Sequence, residues 1–211
     1  MLMHQLLFDN AARRPEAPAL GWVDRGRVLT YGEAAIATER MAGALASLGV
    51  RPGDRVTVFA NNGLDYLLVM LGTWRIGAIL ATVNLKLADD LAWYLADHEP
   101  SVLVYTHEMH GRVRSVVAEV TPRTRLVCMD GPREGALALG ELVDADLPPP
   151  PDPADEDAIA HLSYTSGTTG RPKGVCLAHE PTVRASRCIA ERLRLRASDV
   201  SLGPTALSSS Y

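Results

Sequence analysis

The residues best equipped for chemistry lie in one stretch, Tyr164-Thr165-Ser166-Gly167-Thr168-Thr169-Gly170-Arg171-Pro172-Lys173-Gly174-Val175. Its glycines let the backbone lie flat against a ligand, and the hydroxyls of Thr165, Ser166, Thr168 and Thr169 add donors to the backbone N–H groups. Such a run suits anionic oxygens. Lys173 adds a positive charge, on the order of 4 kcal/mol of attraction to a phosphate oxygen at ~4 Å with an effective dielectric near ~20, before desolvation is subtracted. The chain has only two lysines, Lys86 and Lys173, against nineteen arginines. A lysine here goes against the local composition, and a compact ammonium suits a crowded phosphate site better than a planar guanidinium fork. Pro172 fixes the exit angle of the loop.

The spacing is not that of a Walker A loop, G-x-x-x-x-G-K-[ST]. The fifth residue after Gly167 is Pro172 where a glycine is required, and Lys173 is followed by Gly174, which has no hydroxyl for magnesium. The stretch is a different solution to the same binding problem.

A phosphate loop needs rigid elements to carry it. Ala158 to Tyr164 reads as a strand leading into the loop and Val175 to Ala178 as its returning partner, so the loop is expected at a hairpin-like tip that can close over a nucleotide. Upstream, Met3, Leu6, Leu7 and Ala11 mark a short amphipathic helix ended by Pro15, and Ala19 to Val23 with Arg27 to Leu29 read as a hairpin about Asp24-Arg25-Gly26. Thr30-x-x-Glu33 is a capping box, and Ala34, Thr38, Met41, Leu45 and Leu48 mark one face of the helix it opens, as far as Gly49. Apolar runs of strand length follow at Val56 to Ala60, Ala78 to Val83, Val102 to Tyr105 and Arg125 to Met129. Helical patterns alternate with them at Leu64 to Arg75, with Leu67, Leu68, Leu71 and Trp74 inward, from Asp89-Asp90 to about His98, and at Val113 to Val120. This alternation predicts an α/β fold with a mostly parallel sheet covered by helices on both faces. Residues 144–157, rich in proline and acid, read as a stiff linker between an α/β subdomain at 1–143 and a segment at 158–211 that carries the loop, a helix opened by Pro181 and the start of a further α/β segment.

The twelve positions from Tyr164 to Val175 resemble the signature loop of the adenylate-forming enzymes, the superfamily of acyl-CoA synthetases, luciferase and peptide-synthetase adenylation domains. Leu29-Thr30-Tyr31, Arg51-Pro52-Gly53-Asp54-Arg55-Val56, and Gly77-Ala78-Ile79 through Val83-Asn84 resemble the family's upstream segments, in the family's order. The resemblance implies ATP binding by Thr165, Ser166, Gly167, Thr168, Thr169, Gly170 and Lys173, with Thr165 also at Mg2+. It implies activation of a carboxylic acid to an acyl-adenylate, then transfer to coenzyme A. The family's later motifs and its catalytic lysine match nothing before Tyr211, so the chain is expected to be the amino-terminal part of an acid–CoA ligase, inactive alone and holding no catalytic residue. The alternative is a naturally short, non-catalytic module that binds a nucleotide or a partner. Leu207 stands where the family's Pro-x-x-His pattern has its histidine.

Composition sets outer limits. A net charge of −4 with no basic block gives no reason to expect nucleic acid as a partner. Three cysteines, Cys128, Cys176 and Cys188, without a C-x-x-C pair fit a reducing, cytoplasmic setting. Neither a secretory signal nor a run of about 18 apolar residues is visible. His107-Glu108-Met109-His110 misses zincin spacing by one residue and reads as a solvated helix start. Arg184, Arg187, Arg192 and Arg194 read as a solvated helix face, and His179 carries no role.

Overall fold

A computed structural model describes residues 1–153, 155–165 and 172–208. Its frame is a seven-stranded sheet among the described residues, made of β3 (Arg55–Phe59), β4 (Ile79–Thr82), β5 (Val102–Tyr105), β6 (Arg125–Cys128), β7 (Leu137–Ala138), β8 (Ile159–Thr165) and β9 (Lys173–Ala178). The order is β7-β6-β5-β3-β4-β8-β9. Every pairing is parallel except β8 with β9.

Both faces of the central strands β3, β4 and β5 are buried, because successive strand residues point to opposite sides and both sets are mostly apolar, whereas β9 is largely exposed. Val56, Val58, Val102, Val104 and Val127 enter one core, with α2 (Tyr31–Ser47), α3 (Leu64–Arg75) and α6 (Leu139–Asp144) supplying Met41, Leu45, Leu68, Leu71, Trp74 and Leu139. Phe59, Leu103, Tyr105 and Cys128 enter the other, against Leu91, Tyr94 and Leu95 of α4 (Leu91–His98) and Val113 and Val117 of α5 (His110–Val120). Outside the sheet lie α1 (Gln5–Arg13), a hairpin of β1 (Pro18–Trp22) and β2 (Arg27–Thr30) turning at Gly26, and α7 (His179–Leu193).

The local signals behave as their chemistry requires. Thr30 accepts from the Glu33 amide and Glu33 accepts from the Thr30 amide, so the capping box opens α2. Helix α3 has the expected bounds, although Leu67 is only half-buried. Asp89 and Asp90 differ from expectation: they end a 3-10 segment that precedes α4, and Asp89 pairs with Arg112 at 3.0 Å.

Ala145 and Asp146 turn the chain out of α6, and residues 147–153, in neither helix nor strand, are firmly seated. The Arg75 guanidinium donates to the Pro150 carbonyl at 3.1 Å, and Arg40 pairs with Asp146 at 2.9 Å. A Cβ on Gly43 would stand 1.8 Å from the Leu147 carbonyl oxygen, so the segment crosses α2 at a point only glycine permits. The sheet continues beyond it, with β8 alongside β4.

Candidate functional site

β8 and β9 pair antiparallel with Thr165 opposite Lys173 and Tyr164 opposite Gly174. The sequence-predicted loop thus leaves and re-enters the sheet at adjacent points, at the open end of a hairpin. Ser166, Gly167, Thr168, Thr169 and Gly170, expected to hold phosphate, lie with Arg171 outside the described residues. Thr165 and Lys173 are both exposed, and no ion pair among the described residues involves Lys173. An ammonium with no ion pair among the described residues is available to an anionic ligand.

The strand that delivers the loop is tied at several depths. The Trp74 indole N–H donates to the Ala160 carbonyl at 2.9 Å in the core, and His161 Nε2 lies 3.2 Å from Thr82 Oγ1. Burial lowers the His161 pKa to about 4. The last tie is at Tyr164. Its ring meets Tyr94 and Trp93 edge-on, with centroids 4.8 and 5.7 Å away. A Cβ on Gly174 would come 3.1 Å from Leu162 and 3.4 Å from the Tyr164 ring, so a glycine at this position of β9 leaves the ring its space.

The Tyr164 hydroxyl donates to Asp97 Oδ2 at 2.7 Å and sits 2.9 Å from His98 Nδ1. Because the phenol proton goes to Asp97, His98 Nδ1–H donates to the phenol oxygen. Nε2 is then the acceptor for the Thr57 hydroxyl at 2.6 Å. Burial holds the imidazole neutral, lowering its pKa to about 4, as this donor chain requires. Burial first, and then the bond to and charge of Asp97, push the Tyr164 pKa up, so the phenol stays protonated. Sequence reasoning missed Asp97 and His98, and no motif could have joined them to a tyrosine 66 residues away.

A second cluster joins the chain's beginning to α7. His4 Nε2 lies 2.9 Å from Asp152 Oδ2, the Met3 amide donates to His179 Nδ1 at 3.1 Å, and the two imidazoles meet edge-on. The amino group of Met1 pairs with Glu156. His179 is buried, and burial lowers its pKa to about 4, so this histidine has a packing role that the sequence did not announce. His107 and His110 take separate partners, Asp130 and the Tyr105 hydroxyl. Leu207 is held where β3 ends: its amide donates to Asn62 Oδ1 at 2.8 Å, and Asn62 Nδ2 donates to the Thr205 carbonyl at 2.7 Å. The carboxyl ends of parallel strands are where open α/β sheets receive ligands.

The hydroxyl oxygen of Thr165 is compatible with Mg2+, a hard cation that keeps several waters and takes further ligands from substrate phosphates.

A mostly parallel sheet packed by helices, with the antiparallel β8–β9 hairpin at one edge, defines an α/β domain. Residues 7–211 match the model of the AMP-binding enzyme family, and the chain belongs to that family. Among its curated relatives, a feruloyl-CoA synthase of an Amycolatopsis species is 37% identical over 155 residues, which cover 73% of this chain and 29% of the relative. A medium/long-chain-fatty-acid and 3-oxocholest-4-en-26-oate CoA ligase of Mycolicibacterium smegmatis is 35% identical over 179 residues, 81% of this chain and 32% of the relative. Among solved structures, a Rhodopseudomonas palustris protein described as a long-chain-fatty-acid CoA ligase superposes with a TM-score of 0.89 at 26% identity, over 99% of this chain and 52% of that one. An anthranilate CoA ligase solved with anthranoyl-AMP superposes with a TM-score of 0.80 at 26% identity, over 89% of this chain and 36% of that one. This chain therefore spans about a third of the curated relatives it matches and about half of the Rhodopseudomonas structure.

Proposed function

We propose that this chain is the triphosphate-holding part of an AMP-forming acid–CoA ligase. The reaction joins a carboxylate to the α-phosphorus of ATP, releases pyrophosphate, and then exchanges AMP for the thiol of coenzyme A. The observation that carries the reading is the hairpin that sets Thr165 and Lys173, both exposed, on either side of the loop root.

A carboxylate is a weak nucleophile, and its attack brings two anions together. The step therefore needs the β- and γ-phosphates neutralised and held in line. Lys173 supplies the charge, and Thr165, Ser166, Gly167, Thr168, Thr169 and Gly170 supply amide and hydroxyl donors around the phosphates. Thr165 would help hold Mg2+, which when bound would supply Lewis-acid neutralisation of phosphate charge. The relatives named above take acids as different as ferulate, anthranilate and long-chain fatty acids, so the acid is left as a carboxylic acid. Three unpaired cysteines support a cytoplasmic setting. Helix α7 exposes Ile189 and Leu193, a face suited to packing against further protein and so to a role within a larger ligase.

The test is ATP binding by the chain, followed calorimetrically, with Lys173→Met beside it. The expected result is a loss of about ten-fold or more in affinity on removing the charge, with partial retention in Lys173→Arg. Equal affinities in all three would sink the assignment of Lys173.

A further inference from the structure

We propose that Asp97, His98 and Thr57 are positioning residues for the phosphate loop, acting through the hydroxyl of Tyr164, the residue immediately before its first binding hydroxyl at Thr165. The inference rests on the proposed ATP site but concerns residues of β3 and α4 that belong to no loop motif.

The geometry is directional. Thr57 sits in the middle of the central strand β3 with no exposed surface, and it donates at 2.6 Å to His98 Nε2. His98 closes α4 and passes the polarity on, donating from Nδ1 to the Tyr164 oxygen at 2.9 Å. Tyr164 ends the relay by donating at 2.7 Å to the Asp97 carboxylate. His98 and Tyr164 each accept one bond of the relay and donate the next, from Thr57 as the first donor to Asp97 as the last acceptor, so the phenol oxygen is held from two sides. The Arg55 guanidinium, from the strand that carries Thr57, donates to the His98 carbonyl at 2.7 Å and to the Glu99 carbonyl at 2.9 Å, which pins the end of α4 itself.

The consequence for the loop is mechanical. Tyr164 pairs with Gly174 and Thr165 with Lys173, so the relay grips the hairpin one residue pair below the point where the loop leaves it. Helix α4 lies on the opposite side of the sheet from α3, so the grip transmits the position of the rigid central strand to an exposed tip. Fixing the strand ends that carry binding groups such as Thr165 and Lys173 lowers the freedom lost when a ligand binds, and the saving appears as affinity.

Two readouts test this. Tyr164→Phe keeps the ring against Trp93 and Tyr94 and removes only the relay oxygen, whereas Asp97→Asn retains an acceptor and Asp97→Ala does not. Amide hydrogen exchange of residues 165–173, measured without ATP, is expected to accelerate about ten-fold in Tyr164→Phe and Asp97→Ala and to stay near wild type in Asp97→Asn. The double variant is expected to be no worse than either single one, because both break the same relay. ATP affinity is expected to fall in the same order, with the thermal midpoint moving little. Unchanged exchange in Tyr164→Phe, or additive losses in the double variant, would overturn the proposal. Failure of the wild-type chain to bind ATP would count against the ATP reading alone, since exchange still decides whether the relay holds the loop.

Discussion

Burial leaves three histidines neutral at ordinary pH, and this gives the protein a predictable weakness. His98, His161 and His179 are each lowered to about 4, with burial the largest cause. An unfolded chain binds protons at these sites near pH ~6.5, well before the folded one does. Stability is therefore level above pH 7 and is lost as pH falls from about 6.5 towards 4, at up to ~1.4 kcal/mol per pH unit for each histidine. Urea unfolding at pH 7.5 and pH 5 should show a clearly lower midpoint in acid, an interval in which ordinary carboxylates stay mostly ionised. A flat profile across that interval would mean the three imidazoles are solvated. None of this was legible in the sequence. A histidine's burial depends on what packs over it, and Thr57, Thr82 and Met3 reach their histidines across 41, 79 and 176 residues.

At the scale of elements, the signals that held are those written within a few residues. The reciprocal bonds of Thr30 and Glu33 span one helical turn, and the all-apolar run Val102 to Tyr105 has no face to offer water, so the first opens α2 and the second is a wholly buried strand. Strand β7 and helix α6 were missed because two and six residues, interrupted by Gly140, present too little periodicity to read. The proline-rich segment, read from composition as a stiff linker, makes contacts with α2 and α3 that come from tertiary placement that composition does not encode. Two glycine substitutions separate these effects. Gly43→Ala forces a methyl group into the Leu147 carbonyl and should cost about 1–3 kcal/mol through overpacking. Gly111→Ala, in α5 with nothing within 4 Å, should instead stabilise by a few tenths to ~1 kcal/mol through helix propensity. Chemical denaturation of the two variants reads both signs, and a stable Gly43→Ala protein would show that residues 147–148 do not rest on α2.

For the whole molecule, the two cores are closed where helices cover the sheet and open beyond β9. Ile189 is 58% and Leu193 64% exposed on α7, and β9 exposes Val175 and Leu177. Ile189 and Leu193 are four residues apart, on one face of α7, and an exposed apolar helix face favours association. Sedimentation velocity of the chain should show a concentration-dependent rise in mass, suppressed by Ile189→Glu with Leu193→Glu; a monomer at every concentration would mean that this face is benign. The parallel sheet with two buried faces was legible from the alternation of apolar runs and helices, as was the hairpin that carries the loop. Which face would lack a partner was not, because the apolar positions of α7 look the same whether or not something covers them.

The ties between the first residues and the last third of the chain bear on how the molecule is made. Met1, Met3 and His4 find their partners in Glu156, His179 and Asp152. During synthesis at about 5–20 residues per second, those partners leave the ribosome on the order of ten seconds or more after the amino terminus does. Residues 1–4 therefore wait for these three partners until residues 152–179 have been made, and fusion of a bulky sequence to Met1 would crowd the pair with Glu156.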